Sequence, residues 1–131
     1  SFPVEGKIIS RFGRIRDKHF GTKIINNGLD LKVRKGSEVR AIFHGKVLFA
    51  DSLEGYGNLL ILGHGDNYHS LYGHLDQFKV EKGARVMEGQ IIGLSGDSGS
   101  LRGETLYLEI RHNGKPINPI EWLQTAKRKL N

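Results

Sequence analysis

The sequence predicts an all-β fold, a compact antiparallel β-sandwich or barrel, and three observations support this prediction. Glycine accounts for 18 of 131 residues, about twice its usual share of roughly 7%, which indicates many tight turns. Short apolar runs stand between these glycines, as expected for strands joined by hairpins. The pattern V-x-K-G-x-x-V occurs at 33–39 and again at 80–86, each time before a glycine and an apolar run. Two related hairpin units packed face to face would produce this repeat.

Four strands are predicted in the middle of the chain. They cover residues 45–50, 58–63, 70–75 and 90–94. The second is an almost continuous apolar run, so we expect it to be the most deeply buried of the four. Between the first two strands, the sequence LEGYG at 53–57 has the composition of a hairpin connection.

The clearest alternation of apolar and polar residues lies at 105–111. Strand geometry places Leu106, Leu108 and Ile110 on one face, which we assign to the core. The opposite face is polar and aromatic, and we expect it to line a cleft or to meet solvent. Its members are Thr105, Tyr107, Glu109 and Arg111.

Only the end of the chain predicts a helix. A helical segment begins at Pro119, a residue favoured in the first turn, and extends to about residue 124. We expect residues 124–131, which include three consecutive basic residues, to form a solvated tail. Residues 1–131 as a whole are predicted to form a single domain, because this length suits one hydrophobic core.

Composition excludes several classes of protein. No apolar run approaches the roughly 18 residues that a membrane span needs, and the absence of cysteine excludes a disulfide scaffold and thiolate zinc sites. The net charge of +6 suits an anionic partner, but the basic residues are dispersed, so we predict no nucleic-acid binding. Because the chain begins with Ser1, we expect a mature or excised fragment whose targeting segment lies outside this sequence.

Five segments occur in a distinctive order along the chain. They are NNGLDL at 26–31, LYGHL at 71–75, GLSG at 93–96, TLYLEIR at 105–111 and NPIEWL at 118–123. In this order and spacing they resemble the LytM domain of the lysostaphin-type zinc metallopeptidases, which cut peptidoglycan cross-bridges. The resemblance runs from Phe2 to Trp122. It implies a compact antiparallel β-sandwich of the duplicated-hybrid-motif type, with a groove on one sheet and a short C-terminal helix.

The resemblance also implies where an active member would hold zinc. The ligand positions fall on Asn26, Asp30 and Tyr107, and the catalytic histidine positions fall on His74 and Thr105. Only Asp30 and His74 match the family pattern. A catalytic zinc needs three protein ligands, an amide is a poor one, and a tyrosine would have to ionise against a reference pKa of about 10. We therefore predict a degenerate peptidase with no catalytic residues, no metal and no cofactor.

A rearranged metal site built from His64 or His69 stays open as an alternative. Otherwise, we expect every histidine except His74 to have a surface or structural role. These are His19, His44, His64, His69 and His112.

The altered groove is predicted to bind a polypeptide. Tyrosine and arginine are the residues that most often anchor protein interfaces, and several line the predicted groove. The predicted partner-binding residues are Tyr56, Leu59, Tyr72, His74, Thr105, Tyr107 and Arg111. Within the family, the strand LYLEIR and the loop EGYG resemble the EnvC- and NlpD-type activators, which bind peptidoglycan amidases in the periplasm.

This resemblance implies an extracytoplasmic, non-catalytic regulator without direct membrane insertion, whose groove holds an amphipathic regulatory helix of an amidase. Two alternatives remain open. The domain could instead be an inactive scaffold partner of an active LytM endopeptidase or a peptidoglycan-binding module, or it could be a zinc endopeptidase with rearranged ligands.

Overall fold

The computed structural model describes residues 2–16 and 23–130. Over these ranges the chain forms antiparallel strands and one C-terminal helix, so the all-β prediction is confirmed. The strands are β1 (Lys7–Ser10), β2 (Gly13–Arg16), β3 (Lys23–Asn26), β4 (Leu29–Lys32), β5 (Glu38–Arg40), β6 (Gly45–Leu53), β7 (Gly57–Gly65), β8 (Tyr68–Phe78), β9 (Arg85–Val86), β10 (Ile91–Ser95), β11 (Thr105–His112) and β12 (Lys115–Ile117), and the helix is α1 (Pro119–Leu130). The five predicted strands correspond to β6, β7, β8, β10 and β11, with bounds that differ by up to three residues at either end.

The main sheet has the strand order β1–β4–β11–β8–β7–β6–β9. Strand β10 pairs with both β8 and β5, and β12 pairs with β11. Strands β2 and β3 form a separate two-stranded sheet, and the side chain of Asn26 on β3 links it to the main sheet through a hydrogen bond to Ser10 on β1. The long strand β8 thus joins most of the sheet, and β4, β11 and β8 lie side by side at its centre.

The repeated V-x-K-G-x-x-V segments form equivalent turns. Gly36 and Gly83 have φ angles of 91° and 94°, a left-handed conformation that favours glycine. Each turn leads into a short strand, β5 or β9. The two units then exchange partners, because β5 of the first repeat pairs with β10 after the second, and β9 of the second repeat pairs with β6 after the first. The repeat predicts two hairpin units packed face to face, and the structure shows that these units also exchange strands.

The core lies between these units. Leu106 and Leu108 are fully buried and Ile110 is 1% exposed, as the alternation in β11 predicts. They pack with Val39 and Ile92 from β5 and β10 in one hydrophobic cluster. Side chains from both the central strands and the exchanged pair therefore meet in a single core.

Helix α1 begins at Pro119, as predicted, and Asn118 caps it by accepting a hydrogen bond from the Ile120 N–H at 3.0 Å. The helical backbone continues to Leu130, through residues for which we expect a solvated tail. Leu123 anchors the helix in the core at 5% exposure. No helix in the described ranges is long and apolar enough to cross a membrane.

His64 belongs to a polar network beneath the end of the sheet. Its Nδ1 lies 2.7 Å from the His44 carbonyl and its Nε2 lies 2.7 Å from Ser70 Oγ, which is hydrogen-bonded to Tyr72 Oη at 2.9 Å. A carbonyl can only accept, so Nδ1 carries the proton in the neutral ring. Burial lowers the pKa of His64, and the positive charges of His44 and His69 act in the same direction. The structure therefore assigns His64 a structural role; His19 lies outside the described residues.

We expect the free energy of unfolding to fall as the pH drops through about 6.5. The unfolded chain takes up a proton on His64 near that ordinary pKa, whereas the folded protein resists protonation until a lower pH. Between the two pKa values the unfolded state binds more protons, so stability is lost there and levels off below the folded pKa. Urea unfolding of wild type and His64→Gln over this range measures the effect. The fall should shrink in His64→Gln and largely persist in His44→Gln, whose side chain is exposed; an equal fall in all three proteins would contradict the assignment.

Candidate functional site

Three adjacent strands bring the predicted site residues together. In the strand register, Tyr107 on β11 lies opposite Asp30 on β4 and opposite Gly73 on β8, and His74 follows directly. The 53–57 loop lies over the end of these three side-by-side positions on β4, β11 and β8. The result is a pocket of about 400 Å³ lined by Asp30, Gly55, Tyr56, His74 and Tyr107. Four residues singled out from the sequence thus surround one cavity.

The 53–57 loop and the loop after β10 (residues 96–104) are tied together at the pocket. The His74 N–H donates to the Tyr56 carbonyl at 2.7 Å, and His74 has a φ of 64°, which is rare for a residue other than glycine. Its Nδ1 lies 2.8 Å from the Ser98 carbonyl. Ser98 in turn donates from Oγ to the Leu75 carbonyl at 2.7 Å. The unusual backbone at His74 is therefore held in place by hydrogen bonds to both loops.

Tyr107 is fixed by a buried carboxylate. Its hydroxyl donates to Glu109 Oε1 at 2.6 Å, and Arg111 Nε donates to Glu109 Oε2. Glu109 is fully buried, whereas Tyr107 and Arg111 are partly exposed. Burial raises the pKa of Tyr107 well above its ordinary value, and the hydrogen bond to Glu109 adds to the rise. The Tyr107 phenol therefore stays neutral, and its hydroxyl proton is used in the hydrogen bond to Glu109.

Asp30 lies half-buried at the pocket, close to the side chain of Asn26. The Asn26 amide donates to Ser10 Oγ at 3.1 Å and to the Arg11 carbonyl at 2.9 Å, and its oxygen accepts the Gly28 N–H at 3.2 Å. Burial raises the pKa of Asp30, and the opposing influences of Arg102, His74 and Asn26 do not fully offset it. Asn26 therefore acts as a connector between β1, β3 and β4.

The zinc that the family resemblance implies does not fit this donor set. Asn26 uses its amide in local hydrogen bonds, and the Tyr107 oxygen carries a proton held by Glu109, which leaves Asp30 as the one anionic ligand among the three expected positions. No group of three His, Cys, Asp or Glu residues within 2–16 and 23–130 is placed to hold a metal ion.

The rearranged metal site is also not formed. Both ring nitrogens of His64 are already hydrogen-bonded. His69 lies opposite Arg111 in the register, four residues along β8 from Gly73, which corresponds to about 13 Å. The described histidines therefore do not converge on the pocket, apart from His74.

Three predicted groove residues require correction, because they are buried and cannot contact a partner in this structure. Tyr72 is fully buried and lies opposite Leu108 on the core face of the sheet. Leu59 is fully buried in β7. Thr105 is 1% exposed because the 96–104 loop covers it, with Ser100 Oγ at 2.9 Å from the Thr105 hydroxyl. Glu109 was likewise expected at a cleft or in solvent, and its two polar neighbours cover it instead.

Sequence reasoning missed two contributors to the site. Gly55 lines the pocket, and the positive charge of Arg102 is close enough to act on Asp30. The role of Glu109 as a shared partner could have been found, because residues 107, 109 and 111 project from the same face of a strand.

Comparisons with known proteins identify relatives of this chain. The sequence profile of Peptidase family M23 matches residues 24–119. The chain is 38% identical over 122 residues to Murein hydrolase activator EnvC of Escherichia coli, which covers 93% of this chain and 28% of that protein. It is 37% identical over 123 residues to Murein hydrolase activator NlpD of the same organism, with 93% and 30% coverage. The chain thus spans less than a third of the length of these curated relatives.

Solved structures give the same fold. A zinc-containing peptidase from Vibrio cholerae superimposes with a TM-score of 0.82 at 31% identity, over 89% of this chain and 37% of that one. The catalytic domain of lysostaphin from Staphylococcus simulans superimposes with a TM-score of 0.79 at 28% identity, over 91% of this chain and 92% of that domain. The lysostaphin-like fold is therefore confirmed over almost the whole length of the chain.

Proposed function

This chain belongs to peptidase family M23, and from that membership we propose that it is a non-catalytic member that binds and activates a peptidoglycan N-acetylmuramyl-L-alanine amidase during cell-wall cleavage and cell separation. The proposal is carried by the residues found at the positions where active members of the family would bind zinc. Asn26 offers an amide and Tyr107 offers a neutral phenol bound to Glu109, so the pocket is suited to a polypeptide and not to a hydrolytic metal. The names of the relatives, murein hydrolase activators, support the same role.

The accessible part of the groove suits a helical segment of the amidase. Tyr56, Tyr107 and Arg111 remain partly exposed around the pocket. Exposed apolar side chains lie on the surrounding segments, with Leu53 at 45% and Leu101 at 104% of their full exposure. An amphipathic helix would cover these side chains and insert a side chain into the pocket. Binding would activate the amidase by favouring the conformer whose active site is open.

The proposed setting is the bacterial cell envelope. Other similar proteins include a lipoprotein NlpD/LppB homolog of Pseudomonas aeruginosa and an outer membrane antigenic lipoprotein of Haemophilus influenzae. We place this chain outside the cytoplasm by the same reasoning, and we propose that residues 1–131 form one domain around the core described above.

Replacing Tyr56 with alanine is expected to reduce amidase stimulation by about tenfold or more, as loss of an aromatic interface anchor does. The measurement is the turnover of a purified amidase on peptidoglycan as the concentration of this domain is increased. Tyr56 suits the test because its ring is partly exposed and its structural contact to His74 uses the backbone carbonyl. Met87→Ala is the matched control, since Met87 is 70% exposed and follows β9, which pairs with the opposite end of β6.

Two results would contradict the proposed function. One is the absence of stimulation by the wild-type domain with each amidase tested, in particular if the domain instead sediments with peptidoglycan sacculi or captures an active endopeptidase. The other is about one tightly held zinc per purified chain together with peptide-bond cleavage, which would restore the endopeptidase alternative.

A further inference from the structure

Three polar side chains of the pocket, those of Asp30, His74 and Tyr107, have an atom that can accept a hydrogen bond from an occupant. The Tyr107 hydroxyl already gives its proton to Glu109. His74 Nδ1 faces the Ser98 carbonyl and must carry the ring proton there, so the neutral ring presents Nε2 as an acceptor. The Asp30 carboxylate is an acceptor when ionised. An occupant that satisfies Asp30, His74 and Tyr107 together must therefore supply the donors.

The charges that act on Asp30 from the described side chains do not fully offset its desolvation. Among the side chains that the structure describes, no ion pair to Asp30 is formed, and Arg102, whose charge favours the carboxylate most, is exposed. Burial disfavours the Asp30 carboxylate more strongly than Arg102, His74 and Asn26 favour it, which is why the pKa of Asp30 is raised. A positively charged occupant would compensate for this desolvation.

Aromatic rings form the walls around the carboxylate. The centroids of Tyr56 and Tyr107 lie 5.8 Å apart with the rings tilted by 54°, and those of His74 and Tyr107 lie 6.4 Å apart. Tyrosine faces attract cations, most strongly where the cation is partly desolvated. The volume of about 400 Å³ admits the end of a long side chain.

We infer that the pocket of Asp30, Tyr56, His74 and Tyr107 binds a primary ammonium group, supplied by a lysine side chain of the partner polypeptide. The three N–H donors of the ammonium match the three acceptors, its charge pairs with Asp30, and its methylene groups pack against the two tyrosine rings. This inference rests on the proposed function for the source of the lysine, but the site itself can be tested without an amidase.

The test is an NMR titration of the ¹⁵N-labelled domain with Nα-acetyl-lysine N-methylamide, followed at the amides of Gly55 and His74. The matched ligand is Nα-acetyl-norleucine N-methylamide, which keeps the carbon chain and lacks the ammonium. We expect the lysine compound to bind about tenfold more tightly. Asp30→Asn should abolish this preference, whereas Asp66→Asn, which removes the same charge at the exposed β7–β8 turn, should keep it.

Equal affinities for the two compounds in the wild type would overturn the inference, as would an unchanged preference in a folded Asp30→Asn variant. A third ligand, a soluble disaccharide-tetrapeptide carrying a diaminopimelate amine, tests the other source of an ammonium; tighter binding of this ligand than of the lysine compound would contradict a polypeptide source. If the domain stimulates the amidase but binds both compounds equally, the ammonium site is refuted and the proposed function is not. If the domain prefers the lysine compound but does not stimulate an amidase, the proposed function is refuted and the ammonium site is not.

Discussion

Replacing Arg111 with methionine is expected to lower the free energy of unfolding by about 2–3 kcal/mol. The reason lies in its partner, since Glu109 is fully buried and Arg111 supplies the cation that accompanies it into the protein. Breaking a fully buried pair typically costs about 3–5 kcal/mol. We expect less here because Arg111 is 34% exposed and the Tyr107 hydroxyl remains bonded to Glu109. Urea unfolding followed by circular dichroism measures the loss.

Two controls distinguish the cost of leaving the Glu109 carboxylate buried without its cation from the cost of removing an arginine side chain. The double variant Glu109→Gln plus Arg111→Met removes both charges and should recover much of the lost stability, which a double-mutant cycle quantifies. Arg40→Met breaks an exposed pair with Glu38, at 3.8 Å and with both side chains about half exposed, so it should cost less than about 1 kcal/mol. Similar losses for Arg111→Met and Arg40→Met would show that the burial of Glu109 carries no special cost.

This expected loss changes how the groove can be probed. A variant that combines Tyr107→Ala with Arg111→Ala removes both hydrogen-bond partners of Glu109, so a loss of amidase stimulation would report unfolding as well as lost contacts. Tyr56→Ala avoids this ambiguity. Tyr107 and Arg111 thus contribute to the stability of the fold through the buried Glu109 carboxylate. Substitutions that test partner binding should therefore avoid the hydrogen-bond partners of Glu109.

The fold was largely predictable because its signals are local. Glycines separate the strands, and the repeated V-x-K-G-x-x-V places Gly36 and Gly83 at equivalent left-handed turns. The shorter strands β1–β5, β9 and β12 were not predicted, because segments of two to four residues carry too little periodicity to be distinguished from loops. Their pairing is set by neighbouring strands, which a single sequence does not reveal.

The site was predictable in part, for a similar reason. Family motifs located Asp30, His74 and Tyr107, and the structure brings these residues to one pocket with Tyr56. Motif position does not fix the direction of a side chain, however. Tyr72 is only two residues from His74, yet it faces the core, and the positive φ of His74 interrupts the regular alternation between them. Burial of Thr105 depends on the 96–104 loop, whose path is a tertiary feature.

Replacing Gly57 with alanine is expected to destabilise the domain by about 2–4 kcal/mol and to distort the pocket. Gly57 has a φ of 67°, which by itself costs an alanine about 1 kcal/mol. The added methyl group would also overlap the carbonyl group of Ser98, the residue that holds His74 through its carbonyl oxygen. The substitution must therefore push the 53–57 and 96–104 loops apart.

Gly55 provides a matched control two residues away in the same loop. Its φ is 88°, but a methyl group there would meet no atom within 4 Å. Gly55→Ala should therefore lower the free energy of unfolding only by the cost of placing alanine at a positive φ, about 1 kcal/mol. The comparison isolates the contact with Ser98 from the effect of backbone conformation. If thermal unfolding shows equal losses for the two variants, the loops are free to separate and the pocket is not rigidly formed. If Gly57→Ala loses more stability and also shifts the His74 amide resonance, close packing of the two loops is what positions His74.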